Sequence, residues 1–377
     1  MREIGMYIHI PFCKQKCLYC DFVSFSNKES KQDSYINCLI KELEYKVSSD
    51  YLINTIYIGG GTPSYLEQGS ISKILLAIRN NYKIKEDVEI TIEINPGTVD
   101  TKKLEEYKEA GINRVSIGLQ ETDNNLLKEI GRIHTYEEFL DTYKLIEKIG
   151  FTNKNIDFMI GLPNQTINNI KESLEKVINL NPEHISMYSL ILEEGTPIYN
   201  KVKKGELELP NEEEERMEYW YLKNKLELAG YKHYEISNFS KQGKESKHNT
   251  NCWNQNEYLG FGVAAHSYID GIRYSNIDSL EKYIENIEKN NIEQNKLIQE
   301  EQNEEDKEKE FMLLGLRKID GVSIQDFKAK YGKNPICVFK ESLQKLVEEG
   351  LLEVDLDKIK LTNKGLDLAN LVWEEFV

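Results

Sequence analysis

The chain has 377 residues, 40% of them hydrophobic and 30% charged, with a formal net charge of −16. That length allows two cores, and the acidic balance disfavours a nucleic-acid partner, whose phosphates need clustered Lys and Arg. No apolar run reaches the length of about 18 residues that a membrane-spanning helix needs, and MREIGMYIHIPF enters a strand without the h-region of a signal peptide. A reducing cytoplasm is therefore expected, and the six cysteines read as free thiols or metal ligands rather than disulfides.

From the N-terminus to about residue 190, one pattern recurs. A short apolar run ends in a polar or glycine-bearing turn, and a segment of helical period follows. The runs are MYIHI (6–10), TIYIG (55–59), VEITIEI (88–94), RVSIGL (114–119), NIDFMIG (155–161) and HISMYSL (184–190). Segments such as SISKILLAIRNNY and YEEFLDTYKLIEKIG between them place apolar residues three and four apart. Alternating strands and helices predict βαβ units and a parallel sheet, open or curled into a barrel. In both arrangements ligands gather at the C-terminal ends of the strands.

Beyond residue 190 the character changes. EEEERMEYWYLKNKLELAG (212–230) reads as a helix with an acidic start, and YKHYEISNFS (231–240) as a strand. SKHNTNCWNQNEYLGFGVAAHSY (246–268) is dense in aromatics, Asn and Gly, and 283–310 reads as a solvated helix or linker. In the tail, VSIQDFKAKYG and KESLQKLVEEG read as helices, LLEVDLDKIKLTNKG as a hairpin, and a helix closes the chain. That order suggests a winged helix-turn-helix, but with 8 Lys against 11 Asp or Glu over residues 320–377 it is expected to dock or support rather than bind DNA. The predicted partition is 1–240 for the α/β unit, 241–310 for the aromatic segment and charged linker, and 311–377 for the winged-helix-like domain.

The strand ends carry the chemistry. Cys13, Cys17 and Cys20 follow the first strand at spacing C-x3-C-x2-C, and GGGTPS (59–64) follows the second. Glu93, Asn95 and Pro96 end the third, Gln120 ends the fourth, and Asp157 lies inside the fifth, before Gly161 and Pro163. Thiolates at short spacing hold zinc or iron–sulfur clusters. With His9 as a fourth ligand the trio closes a structural zinc site. Without it, a four-iron cluster keeps one iron open to a small molecule. GGGTPS lacks the Gly-Lys-Ser/Thr of a P-loop, and its glycines allow backbone to approach a ligand closely. A carboxylate in an apolar run, as at Asp157, needs a partner. Glu93 and Arg132 read either as groups addressing a ligand or as a surface pair. Cys38 and Cys337 read as buried small hydrophobes.

YIHIPFCxxxCxYCDF, GGGTPS, E-x-N-P, SIGLQ, GRxH and NIDFMIGLP together resemble the radical S-adenosylmethionine enzymes of the oxygen-independent coproporphyrinogen III oxidase group. The resemblance covers almost the whole chain. It implies a partial (β/α)6 barrel followed by a smaller C-terminal α+β domain, a [4Fe–4S] cluster on Cys13, Cys17 and Cys20, and S-adenosylmethionine on the open iron, cleaved by an electron from the cluster. Position by position, Tyr7, Gly60 and Glu93 match holders of the first S-adenosylmethionine. Tyr19, Gly61, Thr62, Gln120, Arg132 and Asp157 match holders of a second one in the porphyrinogen-oxidising branch.

Two departures select a sister branch. The oxidising branch has a fourth cysteine two residues after the third, where this chain has Phe22, and several dozen residues ahead of the motif. Both differences point to the radical SAM heme chaperones. That branch carries H-N-x-x-Y-W, read here as HNTNCW, with His248 and Trp253 as the implied heme-associated residues and Cys252 in place of Tyr. His266, in GVAAHSY, reads as a weaker heme candidate than His248 or as a structural residue. The expectation is a cytoplasmic heme-binding chaperone that delivers heme to a recipient hemoprotein. The branch also implies a reductant protein such as a flavodoxin or ferredoxin, contact with the membrane surface, and a homodimer. The rival expectations are an enzyme converting coproporphyrinogen III to protoporphyrinogen IX, and a zinc-stabilised structural protein.

Overall fold

The computed structural model describes residues 1–377. Its first half runs β1 (Arg2–Ile10), α1 (Gln32–Tyr45), β2 (Tyr51–Gly60), α2 (Ser70–Asn81), β3 (Lys83–Ile94), α3 (Thr101–Glu109), β4 (Arg114–Gln120), α4 (Asn124–Glu129), α5 (Tyr136–Ile149), β5 (Lys154–Ile160), α6 (Ile167–Leu180) and β6 (His184–Ser189). These six strands pair in chain order, each parallel to the next, the arrangement that helical crossovers between successive strands allow. Helix starts are chemically marked. At α5 the Thr135 Oγ1 accepts from the Glu138 amide at 3.3 Å, and the Glu138 carboxylate accepts from the Thr135 amide at 2.8 Å, which is a capping box.

Side chains of the six strands alternate between two environments. Ile58, Ile92, Ile117 and Ile156 point outward into the core under the helices. Tyr57, Glu93, Ser116 and Asp157 point inward and line a cavity. An apolar run here is thus a polar row interleaved with an aliphatic one, and the polar row faces the barrel interior.

The second half continues with α7 (Pro197–Lys203), α8 (Glu212–Leu228), β7 (Lys232–Glu235), β8 (Asn238–Ser240), α9 (Lys247–Trp253), β9 (Tyr258–Phe261), β10 (His266–Ile269), β11 (Ile272–Asn276), α10 (Leu280–Glu288) and β12 (Lys296–Glu301). The segment 231–240, expected as one strand, is a hairpin, with β8 antiparallel to β6. On the other edge β9 lies parallel to β1, and β10 and β11 form a hairpin across Asp270-Gly271, both at positive φ (54° and 77°), as a two-residue turn with a DG signal demands. The sheet order is β12-β11-β10-β9-β1-β2-β3-β4-β5-β6-β8-β7.

Residues 283–310, expected as a solvated helix or linker, contain β12 as well as helix. Every residue of β12 is exposed. The free edge of β11 recruits it, since nothing in KLIQEE buries an apolar face.

The chain ends with α11 (Glu304–Gly315), β13 (Val322–Ser323), α12 (Ile324–Tyr331), α13 (Pro335–Val338), α14 (Lys340–Glu348), β14 (Leu352–Val354), β15 (Lys358–Leu361), α15 (Asn363–Asp367) and α16 (Ala369–Glu374). Phe311, Phe327, Leu343, Ile359 and Phe376 belong to a second core, separate from that of the barrel. The architecture is α/β, a large mostly parallel sheet followed by a small α+β domain. Cys38 is buried as expected, but Cys337 is exposed, because α13 is a single turn at the surface of that small domain. No helix is long and apolar enough to cross a membrane.

Candidate functional site

A cavity of about 530 Å³ opens at the C-terminal ends of β1–β6, a size suited to a cofactor or small ligand. Cys13, Cys17 and Cys20, Gly60–Thr62, Glu93, Gln120, Arg132, Asp157 and Tyr19 all line it. Met159, Leu190 and Ile191 supply an apolar wall, with Phe22 at the rim; Phe22 and Ile191 are exposed.

The cysteine loop is held by hydrogen bonds. The Cys13 amide donates to Phe25 O at 3.0 Å and the Thr62 amide to Phe12 O at 2.9 Å. Thr62 Oγ1 donates to Cys13 Sγ at 3.6 Å, and Asn95 Nδ2 donates to Thr62 Oγ1 at 2.8 Å. Arg132 Nη2 donates to Asn95 Oδ1 at 2.7 Å and Nη1 to Cys17 Sγ at 3.5 Å. One guanidinium therefore braces two cysteines, one directly and one through Asn95 and Thr62. Burial pushes the Cys20 thiol up to about 11 and also raises Cys13. Glu93 and Arg132 do not form a surface pair; each faces the cavity with its own partners.

The donor set suits a multi-iron cluster better than a single ion. No three His, Cys, Asp or Glu side chains converge tightly enough to hold one metal ion. His9 is spent on both ring nitrogens, Nδ1 with the Tyr7 hydroxyl at 3.0 Å and Nε2 with Val23 O at 2.8 Å, so it is no fourth zinc ligand. Cys13, Cys17 and Cys20 would hold three irons of a four-iron cluster, and with no fourth thiol the remaining iron would be free to take a small molecule.

Gly60 and Glu93 shape the adjoining wall. Gly60 has φ +113°, and a Cβ there would lie 2.6 Å from the His9 ring, so no side chain fits. The Glu93 carboxylate accepts from the Gly60 amide at 3.1 Å and from the Tyr57 hydroxyl at 2.8 Å. Removal from bulk water pushes Glu93 up to about 7, against the Tyr57 hydrogen bond, which lowers it. Asp157 is likewise raised by desolvation, and accepts from Asn155 Nδ2 at 2.7 Å and Ser116 Oγ at 3.3 Å. Gln120 adopts φ +70°, strained for a non-glycine residue, and its Oε1 accepts from the Tyr188 hydroxyl at 2.7 Å.

Three expected site residues lie elsewhere. Tyr7 is one layer deeper than the wall, behind Gly60, with its hydroxyl on His9. His248 is buried inside the barrel, its Nδ1 2.9 Å from Thr55 Oγ1 and its ring stacked on Tyr57 at 5.1 Å. Trp253 packs at the far end of α9, its ring 4.5 Å from the Arg317 guanidinium. The reason is α9 itself, which runs beneath the barrel rather than along the cavity. His266, expected as structural, is exposed on β10, and its ring makes no hydrogen bond. The other five histidines are buried. Asn95 and Tyr57 are contributors that the motifs did not single out. Tyr57 was detectable as the inward position two residues before Gly59 on β2.

The radical SAM superfamily model matches residues 7–177, and the HemN C-terminal domain model matches 302–368. A curated relative from Bacillus subtilis (strain 168), "Heme chaperone HemW", is 38% identical and aligns over 98% of both chains. One of the same name from Escherichia coli (strain K12) is 32% identical over 99% of this chain and 98% of its own. The solved structure of coproporphyrinogen III oxidase (HemN) from Escherichia coli superposes with a TM-score of 0.87 over 100% of this chain and 90% of that one, at 23% identity, which is a likeness of fold. Membership of the superfamily implies a [4Fe–4S] cluster and S-adenosylmethionine, and the three-thiol cavity fits both. By near-full-length similarity, this chain belongs to the radical SAM family of heme chaperones HemW.

Proposed function

We propose that this chain is a cytoplasmic heme chaperone that binds heme and passes it to a recipient hemoprotein, with a [4Fe–4S] cluster on Cys13, Cys17 and Cys20 and S-adenosylmethionine beside it. The observation that carries the cofactor half is the single cavity shared by three thiols, the Gly60–Thr62 backbone and Glu93, with His9 unable to complete a zinc site.

When bound, the cluster supplies one-electron reduction of the sulfonium, with electrons from a reductant protein. The chain's own residues bind and orient. Glu93 takes the ammonium group of the nucleotide amino acid. Gly60 and Gly61 let the backbone lie against it, since a Cβ on Gly61 would meet Cys13 Sγ at 2.9 Å. Arg132 offers positive charge to the cluster edge. Gln120, Asp157 and Tyr19 address polar edges on the opposite wall.

Near-full-length similarity to proteins named heme chaperones supports the heme half, and Phe22 in place of a fourth cysteine agrees with it. His266 is the proposed iron ligand, because its ring alone among the six is exposed and unpartnered, and a neutral imidazole ligates heme iron readily. Titrating anaerobically reconstituted protein with heme tests this reading. A saturable Soret change is expected. No saturable change, or turnover of coproporphyrinogen III to protoporphyrinogen IX with S-adenosylmethionine and reductant, would replace the chaperone with the oxidase.

A further inference from the structure

We infer that His248 is a positioning residue: it holds Tyr57 in place, and so fixes the Glu93 carboxylate for the amine of S-adenosylmethionine. This rests on the reading of Glu93 given above.

Tyr57 is the only side chain that donates to Glu93. Its own hydroxyl has no second partner, so the aim of that bond depends on what holds the ring. The ring is sandwiched between Tyr7 at 6.3 Å and His248 at 5.1 Å, with interplanar angles of 27° and 29°. His248 is fixed in turn by Thr55. Thr55 and Tyr57 are two residues apart on β2 and share its inward face, so a ring bonded to the first lies under the second. Gly5 makes room for this on β1, since a Cβ there would meet Thr55 Oγ1 at 3.2 Å and the His248 ring at 3.6 Å.

Helix α9 cannot easily carry the ring away. Glu89, on the same inward row of β3 as Glu93, accepts from the backbone amides of Lys247 and His248 at 3.2 and 3.1 Å. At the other end Arg317 lies over both Trp253 and Trp373, and Lys318 Nζ donates to Asn254 Oδ1 at 2.6 Å. The helix is a strut from the C-terminal domain to the underside of the nucleotide site.

The test is equilibrium binding of S-adenosylmethionine to cluster-loaded protein, with iron content checked for each variant. Tyr57→Phe and His248→Ala are each expected to weaken binding roughly tenfold, the scale of a lost hydrogen bond to a charged group. The double variant should be no weaker than the worse single, and His248→Phe, which keeps a flat ring, should restore most of the affinity. The pH profile separates this from general damage. Glu93 is faced by Tyr57, Asp157, Arg114 and the Gly60 amide, and losing the Tyr57 donor should move the midpoint of binding upward in both single variants. Wild-type affinity in His248→Ala, independent multiplying effects, or an unmoved midpoint would overturn the inference. If His248→Ala does not fold, Thr55→Val removes the same support from the strand side and is read the same way. Undiminished binding in Glu93→Gln would instead overturn the assignment of Glu93.

Discussion

Arg132 reaches Cys17 directly, Nη1 to Sγ at 3.5 Å, while its Nη2 is committed to Asn95 and to Gly118 O at 3.0 Å. The guanidinium thus brings a fixed cation to the edge of the three-thiol loop. A positive charge there favours the more negative, reduced form of a cluster. Arg132→Gln should therefore leave about four irons per chain, the content of a [4Fe–4S] cluster, but shift the cluster's midpoint potential to more negative values, as read by a potentiometric titration followed by EPR. An unchanged potential would show that the contact only positions the loop.

The ligand assignment is tested by removing sulfur atoms one at a time. Cys13→Ala, Cys17→Ala and Cys20→Ala should each lose the brown absorbance and most of the iron. Cys38→Ala and Cys337→Ala should keep both, since Cys38 packs against Ile284 O and Cys337 is exposed on the small domain. A brown, iron-replete Cys17→Ala protein would refute the trio.

Binding of S-adenosylmethionine should depend on pH through Glu93. Its carboxyl is pushed up to about 7 by desolvation, and an ammonium group prefers the ionised form. Below about 7, binding must release a proton, so affinity should rise about tenfold per pH unit and level off above it. Glu93→Gln should flatten the slope. The same shift acts on the ligand-free fold in the opposite sense. A carboxyl raised from 4.5 to about 7 contributes stability that is present below its unfolded value and is lost as pH rises through the folded one.

A separate carboxylate holds the β9–β11 extension to the barrel. The fully buried Glu42 accepts from Lys46 Nζ at 2.6 Å, the Gly262 amide at 2.8 Å, Asn276 Nδ2 at 2.7 Å and the Tyr283 hydroxyl at 2.6 Å. Glu42→Ala removes the shared acceptor of four donors and leaves the Gly262 amide and the Tyr283 hydroxyl without one, and should cost about 3–5 kcal/mol in denaturant unfolding, with proteolysis starting in the 262–295 region. A loss under about 1 kcal/mol would place the network among ordinary surface contacts.

Heme ligation separates two histidines that look equivalent on paper. His266→Ala should weaken the Soret titration and alter its band position. His248→Ala should leave the band position unchanged, because its ring is enclosed beneath Tyr57. The reverse result would require α9 to leave the barrel when heme binds.

The six βα units were legible because their signals are local. MYIHI and VEITIEI read as strands from composition and length, and the caps at Thr135 and Thr166 mark helix starts within a few residues. The edge extension was not legible in the same way. LGF and KLIQEE are too short or too charged to announce strands, and they become strands because β1 and β11 present unpaired edges to them. HNTNCW was visible as a motif, but a motif does not say which way a helix is turned.

The amino-acid order by itself determined the three-thiol spacing, the glycine turn beside it and the parallel βα plan, since each depends on neighbours a few residues apart. Tertiary structure decided what faces what. Glu93, Arg132 and Asp157 meet the cysteines only because the sheet curves and turns its polar rows inward. That same closure encloses His248 and leaves His266 outside, a distinction set by the curvature of the whole sheet and not by either residue's neighbours in the chain.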